Sequence, residues 1–180
     1  MILDLLHKDR QELKTESLPF DFNELTNDSY DPVELFQNLK DTMIHNRGTS
    51  LSAPQCGIPL RVFVMGNWND PDSVAGVFNP KIVAWSDNDL EIEEEQCLTF
   101  PGLYVKMKRY STIRARYTTQ NNVTDTIRFG GLTSKIFQHQ VDLLNGILYT
   151  KKANKFHLEQ AINKKKKLDK LRNKNMGRVA

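Results

Sequence analysis

The sequence predicts an α+β fold, and three observations carry the prediction. Apolar residues recur at helical spacing over 32–45, over 131–146 and again from Lys155 to about Asn173. Between the first two of these segments, short apolar runs alternate with turn residues, as the strands of an antiparallel meander do. The chain has 180 residues, 39% of them hydrophobic, which suffices for one core domain with a tail. The expected arrangement is a central helix packed among antiparallel strands, with one N-terminal and one C-terminal helix.

Residues 1–30 mix short apolar pieces with turn markers at Pro19, Asn23, Asn27 and Asp28. Asp31-Pro32 opens the first helix. Asp31 suits the cap, Pro32 the first helical position, and Glu34 complements the helix dipole. Val33, Leu35, Phe36, Leu39, Met43 and Ile44 then keep helical spacing to about His45, and Gly48 ends the segment. Pro54 makes 48–57 an irregular loop. Strands are expected at 61–65, at 77–85 with an interruption at Asn79-Pro80, and at 90–95, where apolar and acidic residues alternate. The run Glu93-Glu94-Glu95 reads as a solvated strand end. Further strands follow at 104–109, 112–117 and 126–129, with Asn121-Asn122 as a hairpin tip. Gly130-Gly131 breaks the chain before the central helix, and Ile147-Leu148-Tyr149 reads as a short extended piece.

Charge is unevenly placed. The total is only +3, but Lys and Arg crowd 151–180 against Glu159 and Asp169, so residues 1–150 are net acidic. The run Lys164, Lys165, Lys166, Lys167 is either a solvated helix face or a docking surface for RNA or an acidic protein. No aromatic residue follows Phe156, so a stacking platform for single strands is not indicated. No apolar run reaches the ~18 residues of a membrane span, and MILDLLHKDRQ lacks the layout of a signal peptide. Neither a membrane nor export is therefore expected. Cys56 and Cys97 are expected as reduced thiols in the cytoplasm.

Three stretches carry chemistry. GLTSKIFQHQVDLLNG at 131–146 puts His139 and Leu143 one turn apart on one helical face. Zinc hydrolases of the H-E-x-x-H type place two His ligands on such a face and use the Glu after the first as general base. Here the string is His139-Gln140-Val141-Asp142-Leu143, with an amide at the base position and an alkyl chain at the second ligand position. Taken alone, it is an amphipathic helix bearing one His. GTSLSAPQCG at 48–57 presents Gln55, a loop amide that either bonds backbone or donates to a reacting oxygen. EQCLTFPG at 95–102 presents Cys97, either a small buried hydrophobe or a soft metal ligand.

In this order and at these separations, the three stretches resemble the signature motifs of peptide deformylase, which run approximately G-x-G-L-A-A-P-Q, E-G-C-L-S and Q-H-E-x-D-H-L-x-G. Similarity continues through FDFNEL at 20–25, Thr42-Met43, FNPKI at 78–82 and VKMKRY at 105–110, and covers residues 1 to about 155. The resemblance implies a deformylase-like domain at 1–154 with an extended N-terminal arm, and a basic C-terminal helix and tail at 155–180. It also implies one divalent metal (Fe, Zn or Ni) held by one Cys and two His. A Glu moves the proton, and N-formyl groups on nascent chains are hydrolysed. Carried over residue by residue, Cys97 and His139 match two metal ligands. Gln55 and the backbone N–H of Leu98 match the donors that face the carbonyl oxygen. The departures are Leu143 at the third ligand, Gln140 at the Glu, and Ser50 and Gln96 at glycines. Leu cannot ligate a metal, and Gln cannot accept a proton as a carboxylate does. Asp142 matches an Asp the family already has, and His45 is the nearest spare imidazole.

These departures predict a deformylase-fold protein without cofactor or turnover, with Cys97 and His139 as vestigial ligands. Its expected role is as a binding or structural subunit of a larger assembly. Deformylase-like genes occur in tailed bacteriophages, so a virion or baseplate is one setting for that role. Two alternatives stand beside it: an active, metal-dependent deformylase with an unusual site, and a ribosome- or RNA-binding protein that uses the basic tail.

Overall fold

The structure, a computed structural model, describes residues 1–23, 30–86 and 89–176. The turn markers Asn27 and Asp28, the end of FDFNEL and residues 177–180 of the expected tail lie outside the described residues. Helix α1 (Pro32–His45) begins as its sequence dictates: Asp31 accepts the Glu34 N–H at 2.7 Å and Pro32 sits in the first turn. Its inner face, Leu35, Leu39 and Met43, is buried against Leu51, Val62, Val64 and Phe78. Each such side chain contributes about 1.5–3 kcal/mol through burial.

The strands β1 (Ser50–Ser52), β2 (Val62–Asn67), β3 (Asp70–Trp85), β6 (Thr112–Thr118) and β7 (Thr124–Gly130) form one antiparallel sheet in that spatial order. The strands β4 (Leu90–Glu95) and β5 (Val105–Tyr110) form a separate antiparallel ribbon. The expected interruption at Asn79-Pro80 is a bulge within β3. Asn79 takes φ 49° and the register slips between Phe78 and Lys81, yet the strand continues. Asn tolerates this region better than most residues. Its amide also fastens the N-terminal arm, exchanging two 2.8 Å hydrogen bonds with the backbone of Phe20.

Helix α2 (Gly131–Leu144) lies between the sheet and the ribbon, and is buried on both sides. Phe137 and Leu144 pack with Phe63, Ile113 and Tyr117 of the sheet. Leu143 packs on the other side with Cys97, Val105, Met107 and Tyr149. Nine of the 14 residues are buried, five of them polar or charged in addition to His139. Polar groups placed so deeply must find partners, because desolvation without a hydrogen bond is costly. The helix can end sharply because Gly146 adopts φ +71°, where a Cβ would lie 2.7 Å from the Lys14 carbonyl.

The extended piece expected at 147–149 ends at Leu148, which is extended. Tyr149 instead starts a single turn, α3 (Tyr149–Lys152). The physical reason is the Tyr149 side chain, which is 1% exposed and donates its hydroxyl to the Leu103 carbonyl at 2.9 Å. Helix α4 (Lys155–Met176) follows. Leu158, Ala161 and Ile162 attach it to the cluster around the ribbon, and Leu168 and Leu171 stay exposed. Among the described residues no helix is long and apolar enough to cross a membrane.

Candidate active site

The site is assembled from three short segments whose local folding aims their side chains at one point. Ser52 to Cys56 fold as a 3₁₀ turn after β1. There the Gln55 carbonyl oxygen accepts hydrogen bonds from the Ser52 N–H at 2.9 Å and from its hydroxyl at 3.0 Å. With Oε1 occupied, Nε2 is forced outward, toward Thr99 Oγ1 at 3.0 Å and Cys97 Sγ at 3.4 Å. Gln55 is therefore an oriented donor, as its motif implied. The backbone N–H of Leu98 is paired with no acceptor among the described residues. Its side chain packs under Gly48, where a Cβ would come within 2.7 Å.

Cys97 and His139 are brought together. His139 donates from Nδ1 to Glu95 Oε1 at 2.5 Å, and its ring edge meets Tyr149 at 5.7 Å between centroids. The other nitrogen, Nε2, is buried and makes no hydrogen bond among the described residues. Burial alone would push the Cys97 thiol up, but the adjacent His139 imidazole overrides it and lowers the thiol below its ordinary value. Burial likewise disfavours the His139 cation, and Cys97 and Glu95 together reverse this and raise it. Burial works against Glu95 as well, yet His139 and Arg109 hold its carboxyl down to about 2. The other thiol, Cys56, has no such partner; burial, then Asp4, pushes it up to about 12. Both cysteines are free.

Glu95 corrects the expectation of a solvated strand end. Glu93 and Glu94 are exposed, but Glu95 is enclosed and accepts two hydrogen bonds from Arg109, at 2.9 and 3.0 Å, besides that of His139. Arg109 then reaches Asp142 at 2.5 Å, and Asp142 receives Lys152 at 2.9 and 3.0 Å. The groups Cys97, His139, Glu95, Arg109, Asp142 and Lys152 thus form one line of alternating charge. Neither Glu95 nor Arg109 stood out in the sequence. The available signal was that Glu95 opens the second motif.

Gln140 and Ser50, two of the departures from the motifs, are partners: Gln140 Nε2 donates to Ser50 Oγ at 2.7 Å, across 90 positions. Gln140 Oε1 remains buried and unpaired. With Ser50, Gln55, Gln96, Cys97 and Leu98 it lines a cavity of about 130 Å³. A second cavity of about 230 Å³ shares Ser50 and Gln96 and is walled by Met107, Leu132 and Ile136. His45 ends α1 and does not line the first cavity, which takes Asn46 and Arg47 instead. Lys164 to Lys167 lie on α4 and line neither of these two cavities. Lys164 approaches Glu94 at 3.5 Å, Lys165 pairs with Asp169 at 3.2 Å, and Lys165 and Lys166 rim an apolar groove of about 550 Å³.

The donor set does not complete a metal centre. Cys97 Sγ and the orphaned His139 Nε2 are two suitable donors, but the third position is the alkyl chain of Leu143, 1% exposed. Among the described residues no group of three or more His, Cys, Asp or Glu side chains is placed to hold an ion. No chemical step is therefore assigned to a metal in this chain.

The polypeptide deformylase family model matches residues 2–159. Peptide deformylase of Thermotoga petrophila is 38% identical over 113 residues, 62% of this chain and 66% of that protein, so the match falls just short of two thirds of its length. That of Thermotoga maritima is 38% identical over 125 residues, 65% of this chain and 74% of that protein. The crystal structure of a peptide deformylase from Legionella pneumophila superposes with a TM-score of 0.80 at 26% identity, covering 96% of this chain and 98% of that one. These findings correct the expectation of a retired enzyme in a structural or virion role. Relatives this similar bear the name of the hydrolase. Motif order, fold and sequence together show that the chain belongs to the polypeptide deformylase family.

Proposed function

We propose that this chain removes the formyl group from the amino terminus of formylated peptides. The observation that carries the reading is the convergence of three groups on one 130 Å³ cavity, the oriented Gln55 amide, the unpaired Leu98 N–H and Cys97, with His139 lining the neighbouring cavity. A formyl carbonyl placed there meets two donors, and preformed donors at a developing oxyanion are each worth about 10²–10³ in rate. The neighbouring cavity, walled by Met107, Leu132 and Ile136, suits an unbranched apolar first side chain such as Met. Strand β1 ends its sheet, where an extended peptide can add alongside.

The test is formate release from formyl-Met-Ala-Ser by the purified full chain. Turnover is expected, falling ~100-fold in Gln55→Leu through loss of the donor. A purified, folded chain that releases no formate from this or other formylated peptides overturns the reading.

A further inference from the structure

The geometry points to Arg47 as a specificity residue for that reaction, one that selects formylated peptides carrying a carboxylate at their third residue. The inference rests on the deformylation reading above and says which substrates this chain prefers. Its first support is the balance of charge around the two cavities. In the cavity walled by Met107, Glu93 is matched by Lys135 at 2.6 Å, Glu94 by Lys164 at 3.5 Å, and Glu95 by Arg109 at 2.9 Å. In the 130 Å³ cavity, Arg47 is the one Arg, Lys, Asp or Glu on the wall, and it forms no ion pair among the described residues. A cation left unmatched beside a peptide site favours a ligand that brings an anion.

The second support is that the guanidinium is held. Arg47 follows the end of α1, where its N–H donates to the Ile44 carbonyl and the Gly48 N–H to that of Met43, both at 2.9 Å. Its φ is 52°, a conformation that Gly or Asn usually supplies at helix ends. The guanidinium lies over the Trp68 ring, 5.6 Å from its centre. Stacking on an aromatic face orients the planar fork and leaves its N–H groups for a carboxylate. The third support is reach. Thr49 and Ser50 line both cavities, so a peptide with its formyl end in one and its first side chain in the other runs beside them. Antiparallel to β1, such a peptide passes Ser50, then Thr49, then Arg47. It advances ~3.4 Å per residue, which brings its third residue within range of the long Arg47 side chain.

The experiment compares formyl-Met-Ala-Asp with formyl-Met-Ala-Lys, both amidated at the C-terminus, on the full chain. The expected kcat/KM favours the Asp peptide by about 5-fold or more, and the ratio shrinks as salt is raised. In Arg47→Gly, which the positive φ accommodates, the ratio should fall to near one; in Arg47→Glu it should invert. A merely structural Arg47 would not give that inversion. Equal kcat/KM for the two peptides in the parent, or a preference that survives Arg47→Gly, overturns the inference and leaves the deformylation reading standing. If neither peptide is hydrolysed, that reading falls, and binding then judges Arg47 alone. The fluorescence of Trp68 is followed in Trp85→Phe, where it is the remaining tryptophan, as the amides of Met-Ala-Asp and Met-Ala-Lys are titrated in. Tighter binding of the Asp peptide, lost in Arg47→Gly, supports the selection; equal affinities overturn it.

Discussion

Helices α2 and α4 both carry charge, and they use it in opposite ways. In α2, His139 and Asp142 are enclosed, and each is held by partners from other elements: Glu95, Arg109 and Lys152. In α4, the lysines face water, and Lys164 and Lys165 make only long or local pairs. Buried charge that is paired at every member fixes geometry, because removing one member strands the next. Exposed charge is screened and interchangeable. The contrast teaches where the chemistry is held: in the line that runs inward from exposed Lys152 to Cys97, although the lysine run is the louder feature in the sequence.

The most severe way to break the interior line is Arg109→Leu. It removes the cation that Glu95 and Asp142 share, leaving them only His139 and Lys152, and breaking a buried pair costs ~3–5 kcal/mol. Urea unfolding should show a loss of that size. A variant as stable as the parent would mean that the line is not a structural unit.

Acid should break it next. Glu95 is held down to about 2 by His139 and Arg109, so its folded value lies below its unfolded value near 4.5. A depressed carboxylate contributes stability that is present above the unfolded value and lost as pH falls through the folded one. The expected loss is on the order of 3 kcal/mol between about pH 4.5 and 2. The groups that face Glu95 are His139 and Arg109, with Cys97 and Asp142 beyond them, and Arg109 stays charged throughout. Equilibrium unfolding in this window should show the drop, and Glu95→Gln should flatten it. An unchanged slope in that variant would assign the acid limb to other groups.

A smaller effect sharpens the role of the Ser50–Gln140 pair. Ser50→Gly removes the acceptor of the Gln140 amide and leaves a buried donor unmet, at about 1–3 kcal/mol. A thermal melt indistinguishable from the parent would mean that the amide finds water instead. The smallest effect is expected on the outside, where Lys164→Ala should change stability by no more than ~0.5 kcal/mol. A larger loss there would erase the distinction between the two helices.

The sequence made much of the fold legible, because local signals and motif order agreed. Asp31-Pro32 opened α1 where it begins, Asn121-Asn122 turned the β6–β7 hairpin, and the motif with His139 lies on the central helix. What it concealed was tertiary. Glu95 sits at the end of an acidic run, and alternation alone places it with Glu93 and Glu94. Its burial depends on Arg109 in the paired strand and on His139 in α2. Ser50 and Gln140 looked like independent losses because nothing local connects residues 90 positions apart. Tyr149 read as part of an extended piece because its turn is set by a single long-range bond to Leu103. At the site, the sequence reading turned on Leu143 and Gln140, an alkyl chain and an amide where a ligand and a carboxylate base were expected. The inference from those two residues to a loss of function did not follow, since similar relatives bear the hydrolase's name and Gln55, Leu98 and Cys97 still line one cavity.

The most direct test of the central claim, that Leu143 leaves Cys97 and His139 without the third ligand of a metal centre, is metal content. It is measured on the parent and on Leu143→His after purification and exposure to zinc. The account predicts little metal on the parent, and near-stoichiometric metal on the variant, whose new imidazole lies one helical turn from His139 and beside Cys97. A parent chain that retains one ion per molecule would contradict it.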